Sequence, residues 1–138
     1  VSPRFAPRGD WIAYVSDESG WEVYVRRYPG SQRGRRISKG GGREPVWSVD
    51  GRELFYRHGD RMMAVPITTE PELEVGEPVE LWETPYFSQG SIGTIYDVAP
   101  DGRFLMLKFP DTSDTKSARI HVFLDWLTEI EERMEASD

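Results

Sequence analysis

A chain of 138 residues with 38% hydrophobic and 12% aromatic content has the length of one ordinary domain and enough apolar side chains to bury a core. It contains no cysteine, which excludes disulfides, thiolate metal sites and thiol nucleophiles, and no apolar run approaches the roughly 18 residues of a membrane span, so direct membrane insertion is not expected. The net charge of −7 argues against general nucleic-acid binding, but it is lopsided: residues 1–61 carry 12 Arg/Lys against 8 Asp/Glu (+4), and residues 62–138 carry 5 against 16 (−11).

In chain order, Val1–Ala6 reads as a short strand that ends at a turn over 7–10. Trp11–Ser16 is a continuous apolar strand, and Asp17-Glu18-Ser19-Gly20 a polar hairpin turn. Glu22–Arg27 alternates as a strand with one wet face, Tyr28–Gly34 is a loop punctuated by Pro29, Gly30 and Gly34, and Arg35–Ser38 suits an exposed edge strand. The plan then repeats. Gly40-Gly41-Gly42 leads to Glu44–Ser48, a turn at Asp50-Gly51, Glu53–Arg57, a tight turn at His58-Gly59 and Arg61–Ile67; a loop with Pro71 and Gly76 precedes Pro78–Trp82. A third unit follows Tyr86–Gly90, with Ile92–Val98 and Arg103–Phe109 flanking Pro100-Asp101-Gly102 and a polar loop before Ala118–Leu124. The period then changes: Asp125 is an N-cap, and Trp126, Leu127, Ile130 and Met134 form a stripe at helical spacing, which predicts a short amphipathic helix and polar tail over 125–138.

The three turn glycines, Gly9, Gly51 and Gly102, lie 42 and 51 residues apart, a self-similarity that predicts a repeat architecture with one four-stranded unit per repeat. In Asp50-Gly51 and Asp101-Gly102 the glycine reaches positive φ without penalty and the carboxylate caps the turn's amides; the first copy keeps the glycine and puts Arg8 in the place of the cap. Turn formation explains these acids better than metal binding, since no run of oxygen ligands converges near either.

Residue types that carry catalysis are sparse. The two histidines, His58 and His121, are far apart, and Gly90-Ser91-Ile92-Gly93 is not a nucleophile elbow. Gly40-Gly41-Gly42 lacks the Lys-Ser/Thr and the helix of a phosphate loop, so it is an inter-repeat connection. No catalytic residue, metal or cofactor is expected. The aromatics Trp11, Trp47, Trp82 and Tyr96 are assigned to core packing, whereas Trp21, Tyr86 and Phe87, in or near loops, are candidates for an exposed contact. Arg26, Arg27, Arg33, Arg35, Arg36, Lys39 and Arg43 form the one notable charge cluster, read as a solvated edge that discourages strand aggregation or as the surface for an acidic partner, the tail acids Glu129, Glu131 and Glu132 included.

Phe5-Ala6-Pro7-Arg8-Gly9, Pro45-Val46-Trp47-Ser48-Val49-Asp50-Gly51 and Ala99-Pro100-Asp101-Gly102-Arg103 resemble the Phe/Trp-Ser-Pro-Asp-Gly signature of TolB-type, WD-repeat-like β-propellers, and Glu22-Val23-Tyr24-Val25 and Tyr28-Pro29-Gly30 look like the third strand and following turn of that repeat. Arg8 and Val49 depart from the signature. The run through Leu54-Phe55-Tyr56-Arg57 to Leu124-Asp125-Trp126-Leu127 is similar to the C-terminal propeller region of bacterial serine/threonine protein kinases.

The resemblance implies an all-β fold: a propeller segment of about three four-stranded antiparallel blades over residues 1–124, the last incomplete, followed by the helix over 125–138. It implies a non-catalytic binding or sensory module, the C-terminal part of a larger bacterial signalling protein. A propeller piece of a prolyl-oligopeptidase-like hydrolase is the alternative. Closed propellers have typically 4–8 blades. The chain, which begins with Val1, is therefore expected to be completed by further blades of a longer protein, or to close a six-bladed ring as a homodimer. The expected partner is a protein or peptide, met at the turns by Arg8, Asp50 and Asp101 or at the loops by Trp21, Tyr86 and Phe87.

Overall fold

Runs of β-branched and aromatic residues broken by glycine turns favour short antiparallel strands, because each strand can pair with the next through a tight connection. The computed structural model describes residues 1–86 and 93–107, together with the backbone of 120–123. Among these residues all regular structure is β, in three antiparallel sheets that follow one another along the chain. The first sheet runs in the order β1 (Arg4–Phe5), β2 (Trp11–Ser16), β3 (Glu22–Arg27), β4 (Arg35–Arg36). The second holds β5 (Arg43–Trp47), β6 (Glu53–His58) and β7 (Arg61–Thr68); β7 then pairs with β9 (Val79–Glu83) and, at its far end, with the two-residue β8 (Glu74–Val75). The third holds β10 (Tyr96–Val98), β11 (Phe104–Leu107) and β12 (Ile120–Phe123). The helix expected over 125–138 lies outside the described residues.

The strands expected in the first two sheets are present, with β1 shorter than Val1–Ala6, β4 shorter than Arg35–Ser38, and β8 additional. Within the loop containing Pro71 and Gly76, Ile67 pairs with Val75 and Thr68 with Glu74, so the long β7 is paired along its end as well as its middle.

Side-chain alternation builds two cores. Ala13, Val15, Val23 and Val25 of the first sheet face Leu54, Tyr56, Val65 and Ile67 of the second. On the opposite face of the second sheet, Phe55, Met62, Ala64 and Leu81 meet Tyr96, Phe104 and Met106 of the third. The middle sheet is thus covered on both faces. This is why β6 reads as a near-continuous buried run rather than an alternating one.

The three turn glycines all adopt positive φ (79°, 71° and 84°), and in each turn the glycine amide bonds the carbonyl three residues back: Ala6, Ser48 and Ala99. The turns nevertheless differ by one residue. Ala6 N–H bonds Trp11 O (2.8 Å) and Ser48 N–H bonds Glu53 O (2.9 Å), whereas Ala99 N–H bonds Arg103 O (2.8 Å). Because strand side chains alternate with period two, the shorter third turn shifts the faces. Phe104 and Met106 take the place that Leu54 and Tyr56 hold in the second sheet, and Leu105 and Leu107 point away, 45% and 44% exposed.

Candidate functional site

The first strands of the three sheets lie side by side and are tied by side-chain hydrogen bonds. Trp47 Nε1–H donates to Arg4 O (3.2 Å), joining the second sheet to the first. Tyr96 O–H donates to Glu44 O (2.8 Å) and Ile95 N–H to Glu44 Oε2 (3.3 Å), joining the third sheet to the second. Glu44 is buried with φ at 56°, a left-handed backbone that a glutamate rarely adopts, so the surrounding contacts must hold it there. Burial, with the Glu44 charge nearby, raises the Tyr96 hydroxyl well above its ordinary value and keeps it a neutral donor. Nothing in the sequence singled out Glu44.

Along these first strands runs an open depression of about 580 Å³, lined among others by Arg4, Phe5, Trp47, Val49, Tyr96 and Asp97. It meets a second, of about 820 Å³, at Pro7 and Val49; there the turns over 7–10 and 49–52 and the 66–70 segment bring together Arg8, Asp10, Asp50, Arg52 and Glu70. Phe5 (57% exposed) and Val49 (53%) present apolar surface at the joint, with Phe5 edge-on to Tyr28 at 5.2 Å between centroids. The lining mixes apolar residues such as Phe5, Pro7 and Val49 with charges of both signs from Arg4, Arg8, Asp10, Asp50, Arg52 and Glu70.

Two of the three turn residues expected to mark a site therefore share one groove. Arg8 is held by Glu70 (2.9 Å). Asp50 Oδ1 accepts from Ser48 Oγ–H (2.7 Å) and Arg52 N–H (3.1 Å), and these bonds, the Ser48 one foremost, hold its carboxyl below the ordinary range. Asp101 does not join them. It caps its own turn through Arg103 N–H (3.3 Å) and pairs with Arg103 Nε (2.7 Å), and the Arg103 amide bond leads in lowering its pKa. The Asp-Gly pairs act as turn caps, as their sequence suggested.

Replacing Asp50 with alanine is expected to cost about 1 kcal/mol at pH 7 through the two lost bonds. A folded-state pKa below the unfolded 3.8 gives stabilisation that is present above 3.8 and lost as pH falls through the lower folded value. Urea midpoints of the wild type and Asp50→Ala should therefore converge in acid, and a gap that persists there would contradict the assignment.

Of the loop aromatics, Tyr86 is placed differently from expectation. Tyr86 is only 5% exposed; its ring packs in the second core and its carbonyl accepts from Arg57 Nη2 (3.3 Å), so it is not an exposed contact. Trp21 is half-buried against the first core, with the Arg43 guanidinium 4.4 Å above its ring. Phe87 lies outside the described residues. Trp47 and Tyr96 are buried as core aromatics, and Trp11 and Trp82 are partly buried against the two cores.

The basic cluster is spread out and partly partnered. Arg26 bonds Gly30 O (3.3 Å) and Arg33 approaches Glu18 (3.8 Å), both within the first sheet and its loops. Arg35 reaches across to Leu73 O (3.1 Å) and Lys39 to Glu77 (2.6 Å), so the acidic 70–77 segment of the second sheet answers the edge of the first. Arg27 and Arg36 are exposed ladder residues, opposite Trp11 and Tyr24. The tail acids Glu129, Glu131 and Glu132 lie outside the described residues. Exposed ion pairs of this kind contribute about 0–1 kcal/mol each, so they set alignment more than stability.

Among the described residues no cluster of His, Asp or Glu could hold a metal ion, and no helix is long and apolar enough to cross a membrane. His58, the one histidine whose side chain is described, stands over the Gly40-Gly41 backbone. Comparison with protein-family models and with curated proteins finds no match for this chain.

Proposed function

We propose that this chain is a segment of a TolB-type, WD-repeat-like β-propeller and serves as a non-catalytic binding module, the C-terminal part of a larger bacterial signalling protein such as a serine/threonine kinase. The observation that carries this reading is the alignment of the three first strands, with Trp47 bonded to Arg4 and Tyr96 to Glu44. Successive meanders that bring their first strands together and stack face on face are the arrangement of blades around a channel. The signature turns at Gly9, Gly51 and Gly102 add to it. The groove along those strands accepts a peptide or a protein loop, with Phe5 and Val49 as apolar contacts and Arg4, Arg8 and Arg52 as charged ones.

The test is retention without turnover. The chain is applied to a random peptide library, bound peptides are measured by titration calorimetry, and their masses are followed over hours. Phe5→Asp, at an exposed position, is expected to weaken binding at least tenfold and leave thermal stability unchanged. Equal binding by the variant, no bound peptide at all, or cleaved products would each defeat this function.

A further inference from the structure

We infer that the cleft between the first two sheets takes one basic side chain, lysine or arginine, of a peptide lying in the groove, and that Asp10 is the residue that pairs with it. The three turns differ in the order of their charges. The second and third read Asp50-Gly51-Arg52 and Asp101-Gly102-Arg103, whereas the first reads Arg8-Gly9-Asp10. The positions are equivalent, because in all three turns the glycine amide bonds the carbonyl three residues back. An acid placed before the glycine caps the arginine amide after it, and Asp50 and Asp101 both do so (3.1 and 3.3 Å). Asp10 follows its glycine and caps no amide, while Arg8 leaves the turn to pair with Glu70 of the second sheet (2.9 Å). The reversal leaves Asp10 without a partner of its own.

Asp10 lies on the wall of the cleft of about 820 Å³, whose lining comes from residues 6–10, 49–52 and 66–70. The other two acids there are engaged: Glu70 by Arg8, and Asp50 by the Ser48 hydroxyl and the Arg52 amide. Asp10 is half-buried and forms no ion pair among the described residues, and its Oδ1 is sealed from solvent with no hydrogen-bond partner. A carboxylate denied water on one side and given no donor in exchange is under-solvated, so a cation brought beside it gains more than beside an exposed acid. The cation need not reach Oδ1, since it compensates the charge of the whole carboxylate from the cleft. Arg52, by contrast, is exposed to water and needs no counterion. This asymmetry selects a cation over an anion. One carboxylate supplies too few ligands for a metal ion but matches a single ammonium or guanidinium. Thr68 and Thr69 add hydroxyl acceptors to the same lining. The cleft meets the groove at Pro7 and Val49, so a peptide along the first strands can turn one side chain into it. The side-chain site rests on the peptide reading of the groove.

The probe is a pair of short peptide sets, acetylated and amidated, randomised over uncharged residues around one fixed arginine or around one fixed citrulline, its neutral counterpart. Each set is passed over the immobilised full chain, and the retained peptide is quantified by mass spectrometry. The arginine set should be retained about fivefold more, and less so as salt is added. Asp10→Asn should bring the two sets level. Arg8→Gln releases Glu70 and removes a competing cation, so it should raise the ratio. Because a ratio is read, a change in overall peptide binding does not mimic either effect. Thermal melting checks folding, and Asp10→Ser replaces Asp10→Asn if that variant fails it. Equal retention of the two sets by the wild type, or a ratio unmoved by Asp10→Asn, would overturn the inference and leave the peptide reading standing; retention of neither set would overturn both.

Discussion

Phe104→Ala is expected to lower stability by about 3–5 kcal/mol, a large part of the roughly 5–15 kcal/mol of an ordinary domain. Phe104 is fully buried, and three aromatic rings depend on it: Phe55 and Trp82 edge-on at 4.9 Å each, and Tyr96 stacked at 6.3 Å. These rings come from β6, β9 and β10, so the cavity would open across the interface of the second and third sheets rather than within one strand. Edge-to-face geometry adds about 0.5–1.5 kcal/mol per pair beyond area burial, and neighbours held from both sheets cannot all move in to fill the space. Val79, 52% exposed on β9, is the control, and Val79→Ala should stay within about 0.5 kcal/mol. Chemical denaturation reads both, and near-equal midpoints would show that Phe104 is not the keystone of this interface.

Gly42→Ala is the second large effect, about 2–4 kcal/mol, and its cause is close approach alone. Gly42 is not among the residues at positive φ, so alanine meets no backbone penalty there. A Cβ at that position would lie 2.6 Å from Ser38 Cβ, 2.7 Å from Ser38 Oγ and 3.0 Å from Val23 Cγ2. Ser38 cannot yield cheaply. It is fully buried, its hydroxyl donates to the buried Glu22 carboxylate, and its oxygen accepts from Val23 N–H (2.8 Å). Moving Ser38 would leave a buried carboxylate and a buried amide short of a partner, which costs more than the added methyl group gains. Ser38→Gly removes both of the closest contacts, so the double variant Ser38→Gly/Gly42→Ala should be more stable than the sum of the two single losses. Strict additivity in thermal or urea unfolding would sink this account.

Much of the fold was legible because it is written in short-range patterns. Glycine at fixed turn positions, the apolar run of β2, the alternation of β3 and the apolar centre of β6 were enough to place these strands. What escaped depends on contacts between sheets. Tyr86 follows a Pro in what reads as a loop, yet it is buried in the core shared by the second and third sheets. The basic residues near 26–43 look like one patch in sequence, but strand alternation sends Arg26 and Arg43 to different neighbours, and the next sheet supplies Leu73 O and Glu77. Of the candidate groove, Arg8 and Asp50 were visible as turn residues. Phe5 and Val49, which give it apolar character, carry no signal of their own, because an exposed phenylalanine and a buried one look alike in sequence.

The one-residue difference in the third turn sets a limit on how these units can be recombined. A chimera spliced at the conserved glycines would carry β11 into the second repeat one position out of phase, turning Phe104 and Met106 toward the wrong neighbour and presenting Leu105 and Leu107 in their place. The interchangeable boundary is the amide–carbonyl pair that closes each turn, Ala6 with Trp11, Ser48 with Glu53, Ala99 with Arg103. Units exchanged there keep their inward faces inward, so the module of this protein is defined by backbone pairing and not by its most visible motif.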